Sequence, residues 1–265
     1  MSSPSFDTTG TEFHFTKYLS DLPYDNHQIY FMKETEGIWS MPQQPDFISD
    51  SEECTPFFSE DNNTIYFVSD RDGSRKMYFV KKTELGWSEV QLINFPYNEL
   101  PGDFGFGFSI TSDSVIYFSA SDDLYKSVPQ NNEYLTFEEL PNEINSVSYD
   151  NSPFISPDES YLIFASNRSG GFGYHDLYIS FRKQDGTWVE AINMGNTINN
   201  VSEDYSPRLS TDGNYLFFTS ARTYDDYGYN AYWVDADIIN NYNPFAGIHL
   251  QTDEIEIELY PNPAN

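Results

Sequence analysis

Ile65-Tyr66-Phe67-Val68-Ser69 decides the fold, together with what surrounds it. Upstream lies Pro56-Phe57-Phe58-Ser59-Glu60-Asp61; downstream come Met77-Tyr78-Phe79-Val80 and Gly86-Trp87-Ser88. Short bursts of β-branched and aromatic residues, with period-two alternation and bounded by Asp, Asn, Gly, Ser and Pro, read as strands and turns. The same order recurs along the chain. A first copy reads Pro4-Ser5-Phe6, Phe13-His14-Phe15, Ile29-Tyr30-Phe31 and Gly37-Ile38-Trp39. A fourth reads Pro153-Phe154-Ile155, Leu162-Ile163-Phe164, Leu177-Tyr178-Ile179 and Gly186-Thr187-Trp188. A fifth has Pro207-Arg208-Leu209, Leu216-Phe217-Phe218 and Ala231-Tyr232-Trp233. The third is degenerate, with Phe108-Ser109-Ile110, Ile116-Tyr117-Phe118 and Leu124-Tyr125.

Each copy offers four candidate strands, a (Pro-x-Phe), b (Ile-Tyr-Phe), c (Leu-Tyr) and d (Gly-x-Trp). One four-stranded sheet per roughly 40–50 residues marks a β-propeller blade, which buries its faces only by stacking on its neighbours. The class is all-β: a five-bladed propeller over 1–245, with antiparallel blades at about 5–49, 54–100, 104–145, 151–200 and 205–245. Asp61-Asn62, Asp158-Glu159-Ser160 and Asp212-Gly213-Asn214 supply the Asx-turns of the a–b hairpins. Trp39, Trp87 and Trp188 are expected between blades. Copy five lacks a Gly-x-Trp strand, and Asp235-Ala236-Asp237 onward reads as a short capped helix. The last blade is therefore expected to be incomplete, its missing outer strand owed by a segment before Ser5. Residues 246–265 read as a linker.

Composition narrows the functions. Thirteen basic against 42 acidic residues give a formal charge of −29. Such a chain repels phosphate backbones and anionic membrane surfaces, so neither nucleic acid nor membrane is expected as a partner. Aromatics at 18 % supply a core and argue against disorder. Cys54 stands alone, so no internal disulfide forms, and no Cys/His cluster has zinc spacing. No apolar run approaches the roughly 20 residues of a membrane span. The opening, Met1-Ser2-Ser3-Pro4-Ser5-Phe6, lacks the basic and apolar regions of a signal peptide.

Ser156-Pro157-Asp158, Tyr161-Leu162-Ile163-Phe164-Ala165-Ser166-Asn167-Arg168 and Asp176-Leu177-Tyr178 resemble the repeat of TolB-like propellers. Ser69-Asp70-Arg71 and Ser220-Ala221-Arg222 match its Ser-x-Arg part, and Ser210-Thr211-Asp212-Gly213 its turn. Copy one has Lys17 near the Arg position, and copy three has none, so a ring of arginines would be broken. The resemblance covers about 5–245 and implies the fold; such repeats serve binding proteins, periplasmic assemblies and some enzymes. Separately, Glu258-Leu259-Tyr260-Pro261-Asn262-Pro263-Ala264-Asn265 resembles the opening of a type IX secretion sorting domain, which implies export.

The candidate binding residues lie on the rim formed by the b–c and d–a loops. Arg71, Arg168 and Arg222 follow strand b, opposite d–a carboxylates that include Asp150 and Asp204; they read as inter-blade ion pairs or as a ligand-recognising rim. His27 and His175 occupy matching places before strand c. A metal would need a third convergent ligand, so none is expected, nor any cofactor. Asp70-Arg71-Asp72-Gly73 lacks the later ligands of a calcium loop and reads as a turn. Gly170-Gly171-Phe172-Gly173 reads as a flexible b–c loop, and Gly102, Gly105 and Gly107 as sites of tight packing near the axis. Tyr227 and Tyr229 could grip a sugar or a peptide. The expectation is a monomeric, non-enzymatic binding or scaffold propeller, secreted or at the cell surface, recognising a protein or glycan. A carbohydrate-active enzyme and a periplasmic envelope-complex partner are the alternatives.

Overall fold

The computed structural model describes residues 2–19, 26–96, 104–131, 133–222, 229–245 and 258–259. Among these, five antiparallel sheets are arranged as a five-bladed β-propeller. Blade one comprises β1 (Ser2–Phe6), β2 (Glu12–Leu19), β3 (Asn26–Thr35) and β4 (Ile38–Trp39). Blade two comprises β5 (Glu53–Phe58), β6 (Thr64–Ser69), β7 (Lys76–Thr83), β8 (Gly86–Trp87) and β9 (Gln91–Leu92). Blade three holds β10 (Phe104–Ile110), β11 (Ile116–Ala120), β12 (Asp123–Ser127) and β13 (Glu138–Glu139). Blade four holds β14 (Asp150–Ile155), β15 (Tyr161–Ser166), β16 (Asp176–Phe181) and β17 (Ile192–Asn193). Blade five holds β18 (Asp204–Leu209), β19 (Tyr215–Ser220), β20 (Asn230–Asp235) and β21 (Glu258–Leu259).

Two expectations are corrected. The last blade is complete: β21 pairs with β20, Leu259 opposite Tyr232 and Glu258 opposite Trp233. The outer strand is thus supplied from the C-terminal side and not from before Ser5, and 246–265 is not wholly a linker. The start of the sorting-like stretch is itself a propeller strand. Secondly, Gly-x-Trp supplies the fourth strand in blade one, where Ile38–Trp39 pairs with β3, but not the outer strand in blades two and four. In blade two it folds back on the end of strand c, Trp87 opposite Lys82, while β9 forms the outer edge opposite Tyr78 and Phe79. In blade four Trp188 bridges Arg182, and β17 is the outer strand. The turn residues are as read: Asp61, Asp158 and Asp212 each accept the backbone N–H two residues on. The expected capped helix is a 3-10 helix, Ala236–Tyr242, with the Asp235 carboxylate accepting from the Asp237 N–H.

The inner strands β1, β5, β10, β14 and β18 surround the axis in chain order, and β1 meets β18 to close the ring. Each carries a register shift. Ser3, Thr55, Ser152 and Ser206, each before a proline, take φ of 49°, 54°, 52° and 51° at these bulges. A bulge bends a strand and increases its twist, which lets its side chains turn from blade to axis. At Gly107 a β-carbon would lie 2.4 Å from Ser152 Cα, so the inner strands of blades three and four touch there. Gly105 packs on Ser119 instead, and Gly102 lies outside the described residues.

Apolar clusters fill the seams between blades. Ile29, Phe47, Phe58, Ile65 and Phe67 join blades one and two. Val68, Met77, Phe95, Phe108 and Phe118 join two and three. Tyr117, Leu124, Leu162, Phe164 and Trp188 join three and four. Leu177, Ile179, Leu216, Phe218 and Val234 join four and five. Of the three tryptophans expected between blades, Trp188 is buried, whereas Trp87 and Trp39 are half-buried. At the closing seam Phe6 meets Phe217 at 4.9 Å, the Ser3 N–H donates to Thr219 Oγ1 and the Ser3 hydroxyl to Ser206 Oγ. Among the described residues no strand is exchanged there; each blade is a contiguous piece of chain.

His14 sits wholly buried on β2 among Phe31, Phe58 and Phe47. Its Nε2 meets Glu12 Oε1 at 2.9 Å, and Nδ1 has no partner among the described residues. Burial pushes its pKa below the ordinary 6.5, outweighing Glu12; Lys33 acts in the same sense as burial, and Asp7 against it. The unfolded chain therefore takes up the proton first. Stability present above pH 6.5 is expected to fall as pH drops through the depressed folded pKa. His175, also lowered by burial, adds to the same slope. Urea unfolding at a series of pH values should show a shallower acid limb in His14→Phe; an unchanged limb would refute this.

Candidate functional site

Three blades repeat one arginine clasp. After β15, the Arg168 N–H and Nε donate to Ser166 Oγ at 3.2 and 2.9 Å, and Nη2 donates to Ile144 O at 2.6 Å and Asp150 Oδ1 at 2.8 Å. Its guanidinium lies over the Phe164 and Tyr178 rings, at 5.1 and 4.7 Å. Arg222 repeats this with Ser220, Ile198 O, Asp204, Phe218 and Tyr232. Arg71 repeats it with Ser69, Phe47 O, Glu53, Phe67 and Tyr78. The carboxylates are buried and also held from the d–a loop: Asp150 by Ser146, Asp204 by Asn200 and Glu53 by Ser49. Burial raises the Glu53 and Asp204 carboxyls despite their arginines.

These pairs join strand a to the b–c turn of one blade, and the arginine also ties down the loop arriving from the preceding blade. They are not the expected inter-blade pairs. Nε and Nη2 of each guanidinium are directed at protein, so Arg71, Arg168, Arg222, Asp150 and Asp204 fasten the rim. Gly73 N–H donating to Asp70 O at 2.7 Å makes the Asp70-Arg71-Asp72-Gly73 stretch a turn.

The histidines do cross between blades. His27 Nδ1 meets Glu52 Oε1 at 2.7 Å at the first seam, and Glu52 Oε2 accepts from Arg75 at 3.0 Å. Burial would raise the Glu52 carboxyl, but His27 and Arg75 outweigh it and hold it low. At the seam of blades four and five, His175 Nδ1 lies 3.6 Å from Glu203 Oε1, and Tyr229 donates to Glu203 Oε2. The Tyr149 and Tyr174 rings meet the His175 ring at 5.6 and 4.8 Å. The two histidines thus serve different seams. Among the described residues no three His, Cys, Asp or Glu side chains are grouped to hold a metal. Tyr227 lies outside the described residues.

Around His175 the rim carries an apolar patch that the sequence reading missed. Val147 is fully exposed, and Val201, Tyr174 and Phe172 are 87, 64 and 48 % exposed. Val147 and Val201 occupy equivalent places, three residues before Asp150 and Asp204 in their d–a loops. Between these two loops the Tyr149 and Tyr174 rings meet His175, and the Ser202 carbonyl accepts from the Tyr174 N–H at 2.7 Å. The b–c loop of blade four is anchored, not loose. Asp176 accepts from Phe172 N–H and, at 2.9 Å, from Gly173 N–H, and a β-carbon at Gly173 would lie 2.2 Å from Ser202 O. The signal available in sequence was a valine in an otherwise polar loop, Ser146-Val147-Ser148 and Asn200-Val201-Ser202.

The sequence matches no known protein-family model and no curated protein. Solved structures are similar in fold. One is a protein assigned as TolB from Agrobacterium tumefaciens, at TM-score 0.55 and 16 % identity, covering 89 % of this chain and 77 % of that one. A second is a chain of a nidogen/laminin complex, at TM-score 0.54 and 10 % identity, covering 85 and 74 %. A third is a puromycin-hydrolyzing peptidase of Mycobacterium tuberculosis, at TM-score 0.49 and 13 % identity, covering 88 % of this chain and 34 % of the peptidase. At such identities the likeness shows the propeller fold alone. No helix of the described residues is long and apolar enough to cross a membrane.

Proposed function

We propose that the chain is a non-enzymatic binding propeller that docks a protein through the b–c/d–a rim over blades four and five. The observation that carries this is the patch of Val147, Phe172, Tyr174 and Val201 on anchored loops. Large apolar side chains held out on anchored loops offer a partner contact area, and rigid loops bind without a large ordering cost. Val147 and Val201, unlike the rings of Phe172 and Tyr174, offer a sugar no stacking face, and it is these two valines that favour a protein over a glycan. A net charge of −29 favours a partner whose apolar contact is bordered by Lys and Arg. Export to the cell surface accompanies this reading and rests on the sorting-like resemblance of residues 258–265. A place beside an envelope complex agrees with the fold shared with TolB.

The test compares the parent with a Val147→Asp/Val201→Asp variant against purified envelope proteins and an oligosaccharide panel. A protein bound by the parent, and at least about tenfold more weakly by an equally stable variant, is expected; tenfold corresponds to about 1.4 kcal/mol. Equal binding by both moves the site off this rim. Turnover of a glycan, abolished by one Asp or Glu substitution, replaces the reading with an enzymatic one.

A further inference from the structure

Arg208 is unlike every other arginine in the molecule. Arg71, Arg75, Arg168, Arg182 and Arg222 each meet a carboxylate within salt-bridge distance. Arg208, 5 % exposed, meets none among the described residues. It lies on the inner strand β18 at the place taken by Ser5, Phe57, Ser109 and Phe154 in the other blades, as the pairing with strand b shows. From there it reaches across the axis. Nη2 donates to Phe108 O of blade three, and Nη1 donates to Pro153 O of blade four at 3.3 Å and to Pro207 O at 3.1 Å. The guanidinium lies 5.4 Å from the centre of the Phe57 ring in blade two. Its Nε–H is buried and has no partner among the described residues.

Three carbonyls and an aromatic face solvate a cation but carry no net negative charge. Burial lowers this pKa only to about 10, so the group stays charged at neutral pH. A buried charge without a counter-charge is strongly unfavourable, and a buried donor without an acceptor adds to that. Four blades avoid the problem by placing Ser or Phe at this position. From these observations we infer that the axial Arg208 binds one small monovalent anion, of halide or formate size, through its free Nε–H edge. Such an anion would neutralise the guanidinium and fasten the inner strands of blades two to five around one charge pair. The inference is independent of the docking rim, because the site lies on the axis toward the a–b turns.

The probe is chloride, exchanged for bulky gluconate at constant ionic strength, with bromide and formate as parallel arms. The parent's Tm should rise by roughly 5–10 °C as chloride reaches about one hundred times its Kd, and Arg208→Met should show no such rise. A response to formate and not to halides would assign the site to a carboxylate; the reverse would assign it to a halide. Either supports an anion site. A parent indifferent to all three anions, or an Arg208→Met protein with the parent's full response, would overturn the inference. Should that variant fail to fold, anomalous diffraction from bromide-soaked crystals of the parent decides: density beside Arg208 Nε supports the site, and none there refutes it.

Discussion

Replacing Arg168 with methionine should lower stability by about 3–5 kcal/mol, the loss typical of removing one partner of a buried ion pair. The reason lies in what is left behind. Asp150 is fully buried, and without the guanidinium it keeps only the hydrogen bonds from Ser146. Ile144 O also loses its donor. Methionine retains apolar contact with the Phe164 and Tyr178 rings, so most of the loss would be electrostatic. The double variant Arg168→Met/Asp150→Asn should lose less than the sum of the two single changes, because neither charge is stranded. Urea unfolding of the four proteins measures this cycle. A single-variant loss under about 1 kcal/mol would make the pair equivalent to an exposed salt bridge and sink the clasp as a buried fastener.

A comparable loss is expected for Phe218→Ala. Phe218 is fully buried in the seam of blades four and five, its ring 5.9 Å from Tyr232 and beneath the Arg222 guanidinium at 5.0 Å. Removing a buried phenylalanine costs about 3–5 kcal/mol, because a cavity is added to the lost transfer free energy. At roughly 2–4 °C per kcal/mol, the melting temperature should fall by about 6–20 °C. Blades couple mainly to their neighbours, so protection from amide exchange should fall first in β16 and β19, which flank the cavity. An unchanged melting temperature would mean that this seam does not hold the ring.

The blades were legible because three strands of each are half or wholly buried, and burial writes a period-two aromatic pattern. The outer strands were not. Gln91–Leu92, Glu138–Glu139 and Ile192–Asn193 are two-residue edges with little buried surface, so nothing in their composition marks them. Gly-x-Trp drew the assignment instead, since Trp87 and Trp188 are prominent while serving as clasps on strand c. Glu258–Leu259 was hidden for another reason: it lies far along the chain from β20, and the outer strand was sought before Ser5. At the rim the arginines were found, but their partners were sought across blades. A constant spacing was the available clue, 18 residues from Glu53, Asp150 and Asp204 to Arg71, Arg168 and Arg222. Arg208 was visible only as part of a strand. Its meaning needs the axis, which depends on all five copies at once.

The seam between the first and fifth blades, closed without strand exchange, also sets the order of assembly. The hydrogen bond from Ser3 to Ser206 joins residues 203 apart in sequence, whereas every sheet is formed from a contiguous piece of chain. Contacts between distant residues carry a larger loop-closure cost and form late. As the polypeptide emerges from the ribosome, each blade can pair its strands and settle on its predecessor before the next is made. The growing molecule is then an open arc, and the exposed flank of β1 must remain soluble until β18 arrives. The same seam can part in the finished protein without breaking any sheet, which makes it a natural gap for strain to enter the ring.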